Sequence, residues 1–105
     1  MKASEVLKKA LAKIEQGWVQ GVFARDKDGK PTDYASDEAC VWCASGAIKA
    51  VNGGVFLDAA AVFLERVIPR GYVDVPDWND APERTQAEVI EAFKKAIALA
   101  EAEGQ

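Results

Sequence analysis

"CVWCASGAIKAV", Cys40 to Val51, sets two cysteines around a tryptophan and runs directly into small residues. Ser36, followed by Asp37 and Glu38, supplies a capping side chain and two carboxylates for the positive end of a helix dipole. The spacing therefore predicts a helix from about Asp37 to Val51, stopped at Asn52-Gly53-Gly54, where a left-handed cap forms easily. On that helix Cys40 and Cys43 share a face one turn apart, at a separation that allows a disulfide or nothing. Ala44, Ser45, Gly46 and Ala47 offer no bulk, and Gly46 costs helix stability unless another backbone approaches closely. Something large is expected against this waist, with Trp18, Trp42, Trp78 and Phe93 as the available partners.

The chemistry open to the two thiols is narrow. A thioredoxin-like pair needs its first cysteine at a helix N-terminus after a strand, and on this reading Cys40 lies about a turn inside. A zinc site needs four ligands, whereas the chain has two cysteines and no histidine. The expectation is two structural thiols packed as small hydrophobes, with no metal and no cofactor.

Upstream, Ser4 is read as the cap of a first helix, with Val6, Leu7, Ala10, Leu11 and Ile14 on one face and Gly17 as its stop. Trp18 to Ala24 favours β structure, and Asp28-Gly29 marks a hairpin, although its return arm begins with Pro31, which cannot donate to a ladder. "DKDGKPTD" hints at calcium, but its glycine falls too early and no glutamate closes the loop, so a solvated turn is expected.

Downstream, a third helix starts at or just before Asp58 and carries Leu57, Ala60, Ala61, Leu64, Val67 and Ile68 on one face until Pro69 and Gly71. "YVDVPDWNDAPER" reads as a loop. Thr85-Gln86-Ala87-Glu88 is a capping box that opens a last helix with Val89, Ile90, Phe93, Ala96, Ile97 and Ala100 inward. The sum is a mainly α single domain over residues 1–105: four helices, with a short β-hairpin or extended arm between helices 1 and 2.

Half of the 105 residues are apolar, which suffices for a core without staples. Thirteen basic against seventeen acidic residues give a net charge of −4 with no run of like charge, so no footprint for nucleic acid or an anionic membrane is present. Lysines interrupt the apolar positions near the N-terminus, unlike a signal peptide, and the expectation is a cytoplasmic protein. The absence of histidine removes Ser-His-Asp and Cys-His nucleophile pairs and the usual proton carrier near neutral pH.

"DWNDAPERT" is the most polar cluster with an aromatic at its centre, just before a helix N-terminus. Asp77, Asn79, Asp80 and Arg84 are candidates for a small-ligand site beside Trp78; the alternative is that Asn79 and Asp80 hold the loop while Trp78 plugs the core. Because Thr85 and Glu88 serve the amides of the last helix, Asp80 is left to bind something else.

Together, "GWVQGVFARDKDGKP", "WCASGAI" and "WNDAPERTQAEVIEAFKKAI" resemble an uncharacterised family of small proteins from bacteria and their phages, over about Gly17 to Leu99. The resemblance places Cys43, not Cys40, on the family's cysteine position. It implies that Trp18, Gln20, Arg25, Asp26, Trp42, Cys43, Gly46, Trp78, Asn79 and Asp80 belong together, as a packing unit or as a site, and it carries no activity. The leading functional expectation is a non-enzymatic interaction or regulatory module with an unknown protein partner; a homodimer is one arrangement open to it. The alternative is a small-molecule binding protein or an unusual hydrolase, with Gln20, Cys43, Trp78, Asn79 and Asp80 lining a cleft.

Overall fold

The computed structural model describes residues 1–54 and 58–105. Among them the chain forms α1 (Ala3–Gln16), β1 (Ala24–Arg25), β2 (Pro31–Thr32), β3 (Val41–Trp42), α2 (Ala44–Asn52), α3 (Ala59–Val67), α4 (Val75–Asn79) and α5 (Gln86–Ala102). The fold is mainly helical with a small antiparallel sheet in the order β2-β1-β3. No helix among the described residues is long and apolar enough to cross a membrane.

The long helices follow their apolar periodicity. α1 buries Val6, Leu7, Ala10 and Ile14, and α5 buries Val89, Phe93, Ala96 and Ala100; the alanines let the two helices pack closely, with α2 on the other flank of α1 and α3 on α5. One cluster of buried side chains joins all five helices to β1 and β3. Both arms of the capping box form: Thr85 Oγ1 accepts from the Glu88 amide at 3.2 Å, and the Thr85 amide donates to Glu88 Oε1 at 2.9 Å. Asp58 caps α3 through the Ala60 amide, and Gly53, at φ 77°, ends α2 in the left-handed region. Leu57, assigned by its spacing to the α3 face, lies outside the described residues.

Four readings need correction. Ser4 does not cap α1: the N-cap is Lys2, without a side-chain bond, and the Ser4 hydroxyl donates instead to the Gln105 carbonyl at 2.7 Å. The helix expected from Asp37 begins only at Ala44, because Ser36 to Ala39 make a turn and Val41 and Trp42 pair with β1. A β-branched residue beside an aromatic suits a pleated, half-buried surface, and Trp42 buries its ring there. The hairpin thus gains a third strand, and Cys40 and Cys43 lie on extended chain at an odd spacing instead of on one helix face. Finally, the "loop" after Gly71 contains α4, a fifth helix, capped by Asp74 and opened with Pro76 in its first turn.

The hairpin forms as Asp28-Gly29 indicates, with Asp26 Oδ1 accepting from the amides of Asp28 and Lys30. Pro31 is tolerated because β2 is an edge strand.

Gly46, in the first turn of α2, is where the sheet meets the helix. A Cβ at this position would fall inside contact distance of the Phe23 carbonyl. The close backbone approach expected at Gly46 is therefore present, with the Phe23 main chain as its partner, while Ala44 and Ala47 share one buried cluster with Trp42, Trp78 and Phe93. Gly46→Ala is expected to lower the unfolding free energy by about 1–3 kcal/mol in urea denaturation, although alanine is the better helix former. A rise in stability would show that no such contact exists.

Candidate functional site

α4 is short and strongly anchored. Asp74 Oδ1 accepts from the Asp77 amide and Asp77 Oδ2 from the Val73 amide, each at 2.9 Å, which turns the chain so that Trp78 enters the core, 2 % exposed. Arg84 closes over it. Its Nε donates to the Trp78 carbonyl at 2.9 Å, its guanidinium stands 4.6 Å from the centre of the Trp78 ring, and its remaining nitrogens reach Tyr72 Oη and Glu88. Arg84, a candidate ligand contact on sequence grounds, is a buried clamp.

Asn79 is fully buried and uses both ends of its amide. Oδ1 accepts from Trp18 Nε1 at 2.8 Å and from the Ala44 amide at 3.0 Å; Nδ2 donates to the Val19 carbonyl at 3.2 Å and to Asp80 Oδ1 at 2.9 Å. Two acceptor and two donor positions are thereby filled, which is what a side-chain amide needs away from water. Gln20 Nε2 donates to the carbonyls of Asn79 and Ala81, and the Gly21 amide donates to Asp80 Oδ1 at 3.0 Å. The arm 18–21 is in this way fastened residue by residue to 79–81.

Ala44 is the first residue of α2, so Asn79 satisfies one orphan amide at that helix start. Cys43 satisfies another: it is the N-cap, and its Sγ accepts from the Gly46 amide at 3.2 Å. Cys40 is a free, half-buried thiol whose Sγ meets the Arg25 carbonyl at 3.6 Å.

Beside this junction lies an open cleft of about 440 Å³, lined by Val22, Phe23, Pro31, Cys43, Pro76 and Asp80 among others. Of the sequence-derived candidates, Cys43 and Asp80 line the cleft, whereas Gln20 and Asn79 tie the arm to 79–81 and Trp78 is buried in the core. Arg25 and Asp26 belong to the hairpin turn, and Trp42 faces Lys13 and the Tyr34 carbonyl. Phe23, Val22, Pro31 and Pro76 were not singled out by sequence; an exposed phenylalanine in a β-favouring run carries no signal that separates it from a buried one.

A family model described as a family of unknown function (DUF6197) matches residues 1–99. The chain belongs to that family. None of the curated proteins and none of the solved structures matches it. Membership therefore extends to the first helix, beyond the motif-bearing part of the chain, and leaves the chemistry of the site to be argued from its geometry.

That geometry restrains the thiol. Burial pushes the Cys43 thiol above its ordinary range; the Gly46 hydrogen bond opposes this, and the Asp80 carboxylate adds to the rise. A helix N-terminus would by itself favour thiolate, but here desolvation outweighs it. Cys43 is 5 % exposed and stays protonated at neutral pH.

Two outcomes are expected. Asn79→Ala leaves the Trp18 indole and the Ala44 amide without their acceptor and should cost about 2–4 kcal/mol in chemical denaturation, while Asp80→Asn, which keeps Oδ1, should stay within about 0.5 kcal/mol. Because the folded-state pKa of Cys43 lies above the unfolded one, of about 8.5, its contribution to stability is complete below that value and declines as pH rises toward the folded pKa. Denaturation of the native chain and of Cys43→Ala across pH 7 to 10.5 should show an extra alkaline loss in the native chain alone.

Proposed function

We propose that this protein is a non-enzymatic interaction module that engages a protein partner through the cleft between Phe23 and Asp80. The observation that carries the reading is the pairing of a half-exposed aromatic, Phe23 at 47 %, with a carboxylate oriented by two donors beside a buried thiol that burial holds in its protonated form. General acid–base work needs two groups of tuned and opposite tendency flanking one reacting atom, and among the described residues lining the cleft Asp80 is the one carboxylate. Apolar walls with a polar edge are instead the ordinary composition of a recognition surface.

The free thiols of Cys40 and Cys43 fit a reducing compartment, which supports a cytoplasmic setting, and the shared motifs support a bacterial or phage one. A small ligand is the second reading, favoured by the volume of the cleft, which falls within the roughly 300–1,000 Å³ usual for such sites. The solvent-exposed lining, Phe23, Pro31, Pro76 and Asp80, favours the macromolecular partner.

Affinity capture from the native host, followed by purification of the retained protein and calorimetric titration, tests the reading. Phe23→Asp is expected to weaken that partner at least about tenfold, as for an anchor at an interface, while Val62→Asp, on the exposed side of α3, leaves it unchanged. Equal binding by both variants, or retention of a metabolite that the native chain converts, would overturn it.

A further inference from the structure

The carboxylate of Asp80 differs from its neighbours in how it is used. Asp58 and Asp74 cap helices, Asp77 holds the Val73 amide, and Glu88 pairs with Arg84. Asp80 receives both of its hydrogen bonds, from Gly21 and Asn79, on Oδ1. Oδ2 has no hydrogen-bond partner among the described residues, and no lysine or arginine among them comes within ion-pair distance of it. Two donors therefore orient the group without neutralising it. An exposed carboxylate oriented by two donors in the lining of an apolar cleft loses little freedom when a cation arrives, so it is prepared for one.

The walls define what should carry that cation. Phe23, Val22, Pro31 and Pro76 give the cleft an apolar lining that it shares with Asp80. A long aliphatic stem with a charged end matches both parts, because lysine and arginine bury their methylenes on apolar surface while the head stays with a polar partner. The Phe23 ring already accepts an ammonium, with Lys49 Nζ standing 5.9 Å from its centre, and Lys49 does not pair with Asp80. The net charge of −4 draws a basic partner in the same sense.

We propose that the cleft receives one lysine or arginine side chain from a partner protein, its stem against Phe23, Pro31 and Pro76 and its cationic head on Asp80 Oδ2. This rests on the binding reading above and names the chemistry of the partner.

The test is a titration of the ¹⁵N-labelled full chain with acetyl-Gly-Lys-Gly-amide, with its norleucine counterpart, which lacks only the amine, and with butylamine. The lysine peptide should shift the amides of Gly21, Phe23, Thr32 and Asp80 and bind on the order of tenfold more tightly than the norleucine peptide. Added salt should shrink that advantage, and Asp80→Asn should abolish it. Thr32→Lys, which places a cation at the cleft from within the chain, should block the lysine peptide and serves as a second variant should Asp80→Asn fold poorly. Equal binding of the norleucine peptide would overturn the cation while leaving a binding cleft. Butylamine as tight as the peptide would make a free amine the occupant. No shift with either peptide would overturn the proposal, and the Phe23→Asp result decides separately whether the cleft binds a partner at all.

Discussion

The buried amide of Asn79 is the constraint on which the rest of the structure depends. Its partners come from the arm after α1, from the first residue of α2 and from its own neighbour, so one side chain fixes the relative position of segments far apart in the chain. Such a network is favourable only when every member is satisfied, since an unmatched buried donor or acceptor costs more than a made bond returns. Here the matching is complete for the amide, and its consequences spread outward. With the arm locked, the Gly21 amide meets Asp80 and the Phe23 carbonyl is brought over Gly46, where only a glycine fits.

Cys43 shows how position and environment can oppose each other. It occupies the N-cap of α2, the place where a thiol is most readily activated, and its sulfur does accept an amide hydrogen bond. Yet it is buried, and the charge that acts on it is the negative one of Asp80. The result has the layout of a thiol active site without its electrostatics. A weakly polar sulfur can cap a helix in an apolar setting at little desolvation cost, which gives the residue a structural reason to be cysteine.

The parts of the fold that were legible in the sequence are those set by local chemistry. α1, α3 and α5 announce themselves by apolar residues at helical spacing, the starts of α3 and α5 by Asp58 and the Thr85–Glu88 box, and the end of α2 by Gly53, because caps act over a few residues. The start of α2 was not legible. Ser36-Asp37-Glu38 is an acceptable helix start in isolation, and Val41-Trp42 becomes a strand only because β1 presents backbone groups to it. α4 was hidden for a similar reason: five residues opened by a proline look like a loop until Arg84 stacks on Trp78 and holds the turn. The polar residues of the site region were visible as "WND" and "WVQG", but which of them face the cleft was not.

Taken alone, the sequence determined a histidine-free, mildly acidic, mainly helical chain with two cysteines and a polar cluster worth attention, since composition, periodicity and capping are properties of neighbours along the chain. Only the tertiary structure decided that Asn79 turns inward while Asp80, one residue later, turns out to the cleft with an oxygen to spare. It also decided that Phe23 supplies a carbonyl to the core and a ring to the surface. Both choices follow from which distant backbone groups need partners, and that demand exists only once the arm, α2 and α4 have met.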